Sequence, residues 1–364
     1  MKVFALAASL LVLSAMPATS AEPASADDTA RFLAGMQPKT DSPLAPLTRD
    51  RSWLRHSGYF DAAFGSFDRQ HLAKIRAWSA ARLTSHRPVL FYMFSGPDYL
   101  HASAFFPNAS TYVLSGLEPV GQVPDLTSLP RATVMHGLSY TEIALSSVLR
   151  FSFFITRDMR MQFQSGRISG TLPLLYVFLA RTGKTVHEVS LINLDEQGNE
   201  RPDTDRGARS AAHGVKIVFS DGDKSPQTLY YFRTDVSNQG VKNSGFLQFC
   251  DKLGTGDGFL KSASYLPHSS NFSKVRDFLL DHSDLILQDD TGIPVSYFQR
   301  EKWQIRPFGQ YVGPINIFAR NYQARMRELY RKGHASPIDF GIGYQWRAPN
   351  LLLAEKSGKP ADAQ

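Results

Sequence analysis

Four places in the chain gather side chains able to do chemistry. The first is Ser95-Gly96-Pro97-Asp98, which follows the apolar run "PVLFYMF" and precedes a helix-like pattern. A strand that ends in a small polar loop and continues as a helix is where open α/β sheets bind ligands. Helix capping accounts for the same residue types. Ser95 to Asp98 fits S-x-x-D, with the Ser95 side chain expected to accept from the backbone near Asp98. Pro97 suits a first helical turn and Asp98 complements the helix dipole. A phosphate is poorly served, because Pro97 lacks a donor and Asp98 adds negative charge. The dinucleotide fingerprint needs three glycines, and only Gly96 is present. Ser95 is a poor nucleophile candidate, since Met93 and Pro97 hold the two glycine positions of G-x-S-x-G. A triad order of Ser95, Asp221 or Asp257, then His268 can be written, but chance supplies such orders freely.

The second place is Glu118, 22 residues beyond Gly96 at the end of the next strand-like run. An acid there resembles the one that holds ribose hydroxyls in nucleotide-binding folds, an analogy at fold level only. The third is Asp289-Asp290 after the apolar "LIL". If all these strands run parallel, Asp98, Glu118, Asp289 and Asp290 converge. Converging carboxylates would bind a hard divalent cation or sugar hydroxyls, or split into acid and base. The plain alternative is that "DDTG" is a turn. The fourth is "LKSASYLPHSSNF", with Lys261, Ser264, Tyr265 and His268 close together before a helix start. Such density suits a site lining, and Ser-Ser-Asn also suits capping. The expected catalytic residues are Asp98, Asp290 and His268. The expected ligand-binding residues are Ser95, Glu118, Lys261 and Asp289. No cofactor follows from the sequence beyond the divalent cation such acids would accept. The ten histidines are scattered and form no zinc motif.

These residues are positioned by alternating strand-like and helix-like runs. "SFDRQHLAKIRAWSAARL" is the first helix expected, followed by "PVLFYMF" as a doubly covered strand. "STYVLSGLEP" and "TVHEVSLINLD" read as strands, and "VKIVFSDGDKSPQTLYYFRTD" as an antiparallel pair. "SGFLQFCDKL" and "NFSKVRDFLLDHSD" read as helices, the latter capped by Asn271 or Ser273, and "DLILQDD" as a strand. "GTGDG" (Gly254–Gly258) reads as a turn after a helix, and the Gly-rich "PIDFGIGYQW" as part of a strand tail. The fold class expected is α/β: a mixed, largely parallel sheet with helices on both faces, Rossmann-like and three-layered, plus a C-terminal basic helix and strand tail.

Residues 1–21 read as a secretory signal peptide, with Lys2, an apolar stretch and Thr19-Ser20-Ala21, and without a lipobox cysteine. Residues 22–50 form an Ala/Pro-rich arm or linker. Residues 51–364 form one large α/β domain, with a core of about 86–300 and an extension of about 301–364. The leader reads as bacterial, so the chain is expected to be exported, periplasmic or extracellular. Cys250 is the sole cysteine, so no internal disulfide forms, and its apolar surroundings predict a buried thiol. The net charge is +7, and the segment from Arg300 onward holds eleven Lys and Arg against five Asp and Glu. Much of it lies on "ARNYQARMRELYRKG", an expected helix ended by Gly333. That face either solubilises the protein or contacts an anionic membrane or polymer. No nucleic-acid motif is present. The expected function is binding of a small-molecule or saccharide-type, envelope-derived ligand in a polar, partly acidic pocket. The alternative is hydrolysis by paired carboxylates, with or without a cation.

Overall fold

A computed structural model describes residues 23–83, 86–122, 125–151, 153, 168–203 and 212–357. The leader-like residues 1–21 lie outside it, as do 204–211 of the long polar insertion. The short apolar run at residues 89–92 forms strand β1 (Val89–Tyr92), all four residues buried, as a centre covered on both faces requires. Its neighbours are β2 (Thr111–Gly116) on one side and β7 (Gly256–Leu260) on the other, both parallel to it. Beyond β2 lies the parallel β6 (Gln227–Arg233), and beyond β7 the parallel β8 (Ser283–Gln288).

Antiparallel strands extend both ends. β5 (His213–Ser220), β3 (Thr185–Leu194) and β4 (Glu200–Pro202) follow β6. β10 (Asn350–Lys356) and β9 (Trp303–Gly309) follow β8. The order is β4-β3-β5-β6-β2-β1-β7-β8-β10-β9. The sheet is therefore mixed: parallel pairing is confined to the five central strands, and the flanks are antiparallel. Pro307 sits in β9, the outermost strand of that flank, where a missing backbone donor costs least.

Side-chain alternation sorts the core into two layers. Leu90, Tyr92, Tyr112 and Leu114 face one layer. It is built from α1 (Ala26–Leu33), α2 (Arg51–Phe67), α3 (Ala73–Arg82), α4 (Tyr99–Phe105), α5 (Arg131–Phe151) and α6 (Leu172–Arg181). Val89, Phe91, Met93 and Val113 face the other, covered by α7 (Phe246–Lys252) and α8 (Ser273–His282). α1 packs against α6 and β3, with Ala30, Phe32 and Leu33 fully buried. α2 and α3 run together through a π turn at Asp68–Leu72, so the helix expected from Ser66 begins at Arg51, capped by Asp50. Cys250 is buried in α7, and burial pushes its thiol pKa well up.

Three local expectations are corrected. Gly256–Leu260 is not a turn but the central strand β7. A Cβ on Gly256 would lie 2.6 Å from the Val89 carbonyl oxygen and 2.7 Å from the Phe91 ring, so glycine permits the close β1 pairing. "PIDFGIGYQW" forms no strand; β10 lies after it, and a 3-10 turn at Asn316–Asn321 precedes the basic helix α9 (Ala324–Lys332), which ends at Gly333. Neither Asn271 nor Ser273 caps α8; Ser269 instead caps a 3-10 turn that leads into it. Among the described residues no helix is long and apolar enough to cross a membrane.

Candidate functional site

The chain leaves β1 toward β2 and leaves β7 toward β8, in opposite directions across the sheet. The loops after the two strands therefore part and open a crevice at their carboxyl ends. A cavity of about 190 Å³ lies there. Its polar surface comes from Ser95, Asp98, Ser115, Glu118 and Lys261, and its apolar walls from Met93, Phe94, Leu117, Phe153, Phe272 and Tyr344. Residues Thr234–Val236, just past β6, complete the rim.

The floor is an ion pair. Lys261 Nζ, from the β7 side, lies 2.8 Å from Asp98 Oδ2, from the β1 side, and each side chain is 2% exposed. The Tyr92 hydroxyl donates to the same oxygen at 3.0 Å. His101, one helical turn on, donates its backbone N–H to Oδ1 at 3.3 Å and places Nδ1 2.8 Å from it. Burial raises the Asp98 pKa, but His101 and Lys261 outweigh it and hold the carboxyl well below its ordinary range. Burial drives the His101 pKa down, while the Asp98 carboxylate beside Nδ1 acts to raise it. Asp98 is thus a fixed, ionised acceptor with all its near donors in place. It also caps α4, whereas Ser95, expected to do so, donates to the Gly96 carbonyl at 2.6 Å.

Glu118 is held beside this floor by close backbone packing. Gly96 adopts φ +56° and its N–H donates to the Ser115 carbonyl at 3.0 Å. A Cβ on Gly116 would stand 3.1 Å from Gly96 Cα, 2.9 Å from the Tyr231 hydroxyl and 2.4 Å from Glu118 Oε2. Tyr231 in turn donates to the Glu118 carbonyl at 3.0 Å. The carboxylate is buried against two glycines yet borders the cavity.

The loop after β7 is strained. Of the four non-glycine residues with positive φ among the described residues, Ser262, Ser264 and Tyr265 are here, at 53°, 52° and 57°. The Asp289-Asp290-Thr291 turn holds them. Asp289 Oδ2 accepts from Ser262 N at 2.9 Å, and Thr291 Oγ1 accepts from Ala263 N at 2.7 Å. Asp289 Oδ1 accepts from the Thr291 hydroxyl and N–H. Asp290 accepts from the Tyr265 hydroxyl at 2.5 Å and from Asn350 at 3.2 Å. Burial, then the charge of Asp289, pushes the Asp290 pKa up to about 7. His268 packs its ring 5.1 Å from that of Tyr265, and burial pushes its pKa down to about 4.

Ser95, Asp98, Glu118 and Lys261 therefore share the cavity, while Asp289, Asp290 and His268 stand behind the loop that forms one wall. The four acids do not assemble as a cation site: among the described residues no group of three or more His, Cys, Asp or Glu is arranged to hold a metal. Sequence reasoning missed Tyr92, His101, Thr291 and Tyr344. The spacing of His101 from Asp98 was a usable signal. Tyr344, which bonds Ser262 and Ser264 through its hydroxyl, had only the neighbouring Gly343, whose Cβ would lie 2.3 Å from Asp289. Comparison with known proteins returned no matching family model, no matching curated protein and no matching solved structure.

Proposed function

We propose that the crevice between the β1 and β7 loops binds a small hydroxyl-bearing molecule with one flat or apolar face. Glu118 accepts hydrogen bonds from adjacent hydroxyls, and Phe94, Phe272 and Tyr344 cover the apolar face. The observation that carries this reading is a buried carboxylate bordering a cavity at the parting of two parallel strands, next to a floor already neutralised by Asp98 and Lys261. The five parallel strands at the centre support a doubly wound, Rossmann-like reading of that region. The leader-like residues 1–21 support export, which favours a saccharide-type ligand over an intracellular cofactor. Hydrolysis by paired carboxylates has less support, because Asp98 is fully engaged and Asp290 lies outside the cavity.

Calorimetric titration tests the proposal, with glucose, N-acetylglucosamine, adenosine and 2′-deoxyadenosine as probes. Saturable binding of a probe with adjacent hydroxyls is expected, weakened about 10- to 100-fold by Glu118→Gln, the loss of one charged hydrogen bond. Adenosine against its deoxy analogue separates recognition of the hydroxyl pair from stacking alone. Binding that is absent throughout, or indifferent to Glu118→Gln, refutes the reading.

A further inference from the structure

Residues 311–332 form a surface that the cavity does not account for. The segment folds back on itself: Tyr311 and Tyr322 place their rings 5.9 Å apart, and Gln323 N donates to the Tyr311 hydroxyl at 2.9 Å. Phe318 anchors it inward, with its ring 5.5 Å from Tyr344 and 5.1 Å from Tyr265, beside the cavity. The outer side keeps large apolar groups in water: Ile317 is 78% exposed, Val312 58% and Tyr322 46%. Single exposed apolar residues are ordinary, but here three fall within eleven residues of one folded segment. From residue 312 to 332 the sequence adds Arg320, Arg325, Arg327, Arg331 and Lys332 against the single acid Glu328, which Lys332 holds at 2.6 Å. Arg320 and the four basic residues of α9 are all exposed.

We infer that this segment docks the protein on an anionic lipid surface. Cationic charge is matched by anionic headgroups, and the apolar side chains by the acyl boundary just beneath them. An acidic polymer would match the arginines and leave Ile317 and Val312 without a role. A bilayer uses both. The contact is peripheral, since no described helix is of spanning kind. Because Phe318 ties the segment to Tyr265 and Tyr344, docking sets the cavity beside the lipid surface. This inference does not rest on the identity of the ligand bound there.

The test is co-sedimentation of the full chain with vesicles of phosphatidylcholine alone and of phosphatidylcholine with one-third phosphatidylglycerol. Binding is expected only to the anionic vesicles, with loss at high salt. Replacing Arg320, Arg325 and Arg331 together by Ser should weaken it by about 100-fold, at about fivefold for each charge near the surface. The double variant Val312→Ser, Ile317→Ser should also weaken vesicle binding at least tenfold while leaving retention on heparin unchanged. All five positions are exposed, so an unchanged melting temperature confirms folding. Absence of anionic-vesicle binding overturns the inference. So does a Val312→Ser, Ile317→Ser protein that sediments like the parent, which would assign the surface to polyanions. Glu118→Gln should sediment as the parent does, so failure here and failure of the cavity reading are separately visible.

Discussion

Asp290 and His268 both contact Tyr265, and their protonation should pull stability in opposite directions with pH. Asp290 is held near 7 against an unfolded value of about 3.9, a difference of about 3 units. Between about pH 4 and 7 the unfolded chain releases this proton while the folded chain keeps it. Stability therefore falls as pH rises, by on the order of 4 kcal/mol at 1.36 kcal/mol per unit. His268 is held near 4 against about 6.5, so between those values the unfolded chain binds a proton that the folded chain refuses. Its contribution falls as pH drops, by on the order of 3 kcal/mol. The two contributions oppose each other over this range, and single substitutions separate them. Urea unfolding at about pH 4, 5.5 and 7 reads the difference between variant and parent. For Asp290→Asn that difference should move in the variant's favour as pH rises. For His268→Gln it should move in the variant's favour as pH falls. Differences flat to within about 0.5 kcal/mol, or moving in the same sense for both variants, refute the reasoning.

Two further outcomes concern the cavity floor and wall. Lys261→Met leaves Asp98 buried without its cation and should cost about 3–5 kcal/mol in urea unfolding, most of it recovered when Asp98→Asn is added; a cost under about 1 kcal/mol would deny the buried pair. Gly116→Ala drives a methyl group onto Glu118 Oε2 and the Tyr231 hydroxyl, so titration with whichever probe binds the parent should show at least tenfold weaker affinity; unchanged affinity would place the ligand away from Glu118.

Much of the strand pattern was readable because buried parallel strands leave continuous apolar runs, as at Val89–Tyr92 and Leu285–Leu287. Ser95, Asp98 and Glu118 were also findable, since each lies just past the end of a parallel strand, and Lys261 through the dense run of reactive side chains it opens. β7 was not. Its glycines have the composition of a turn, and only the facing Val89 carbonyl and Phe91 ring show why a strand needs them. Asp289 and Asp290 illustrate a different limit. A carboxylate past a strand end looks the same in sequence whether it faces a ligand or braces a loop. Here its partners are Ser262, Thr291, Tyr265 and Asn350, the last 60 residues away, and no local pattern encodes such pairings. The order of the sheet was likewise hidden, because β10 inserts beside β8 and leaves the earlier β9 outside it.

The junction of β1 and β7 has a mechanical consequence. The two strands are registered through only two residue pairs, Leu90 with Asp257 and Phe91 with Gly258. At the amino end, Arg87 fastens them, its N–H donating to Asp257 at 2.8 Å and its guanidinium gripping Asp284. At the carboxyl end the fastening is Asp98 with Lys261. The ten strands thus meet at a short central pairing that is braced at both ends by charged side chains. The upper brace is also the floor of the cavity, so the one ion pair that closes the seam also holds the β1 and β7 loops at the spacing that forms the opening.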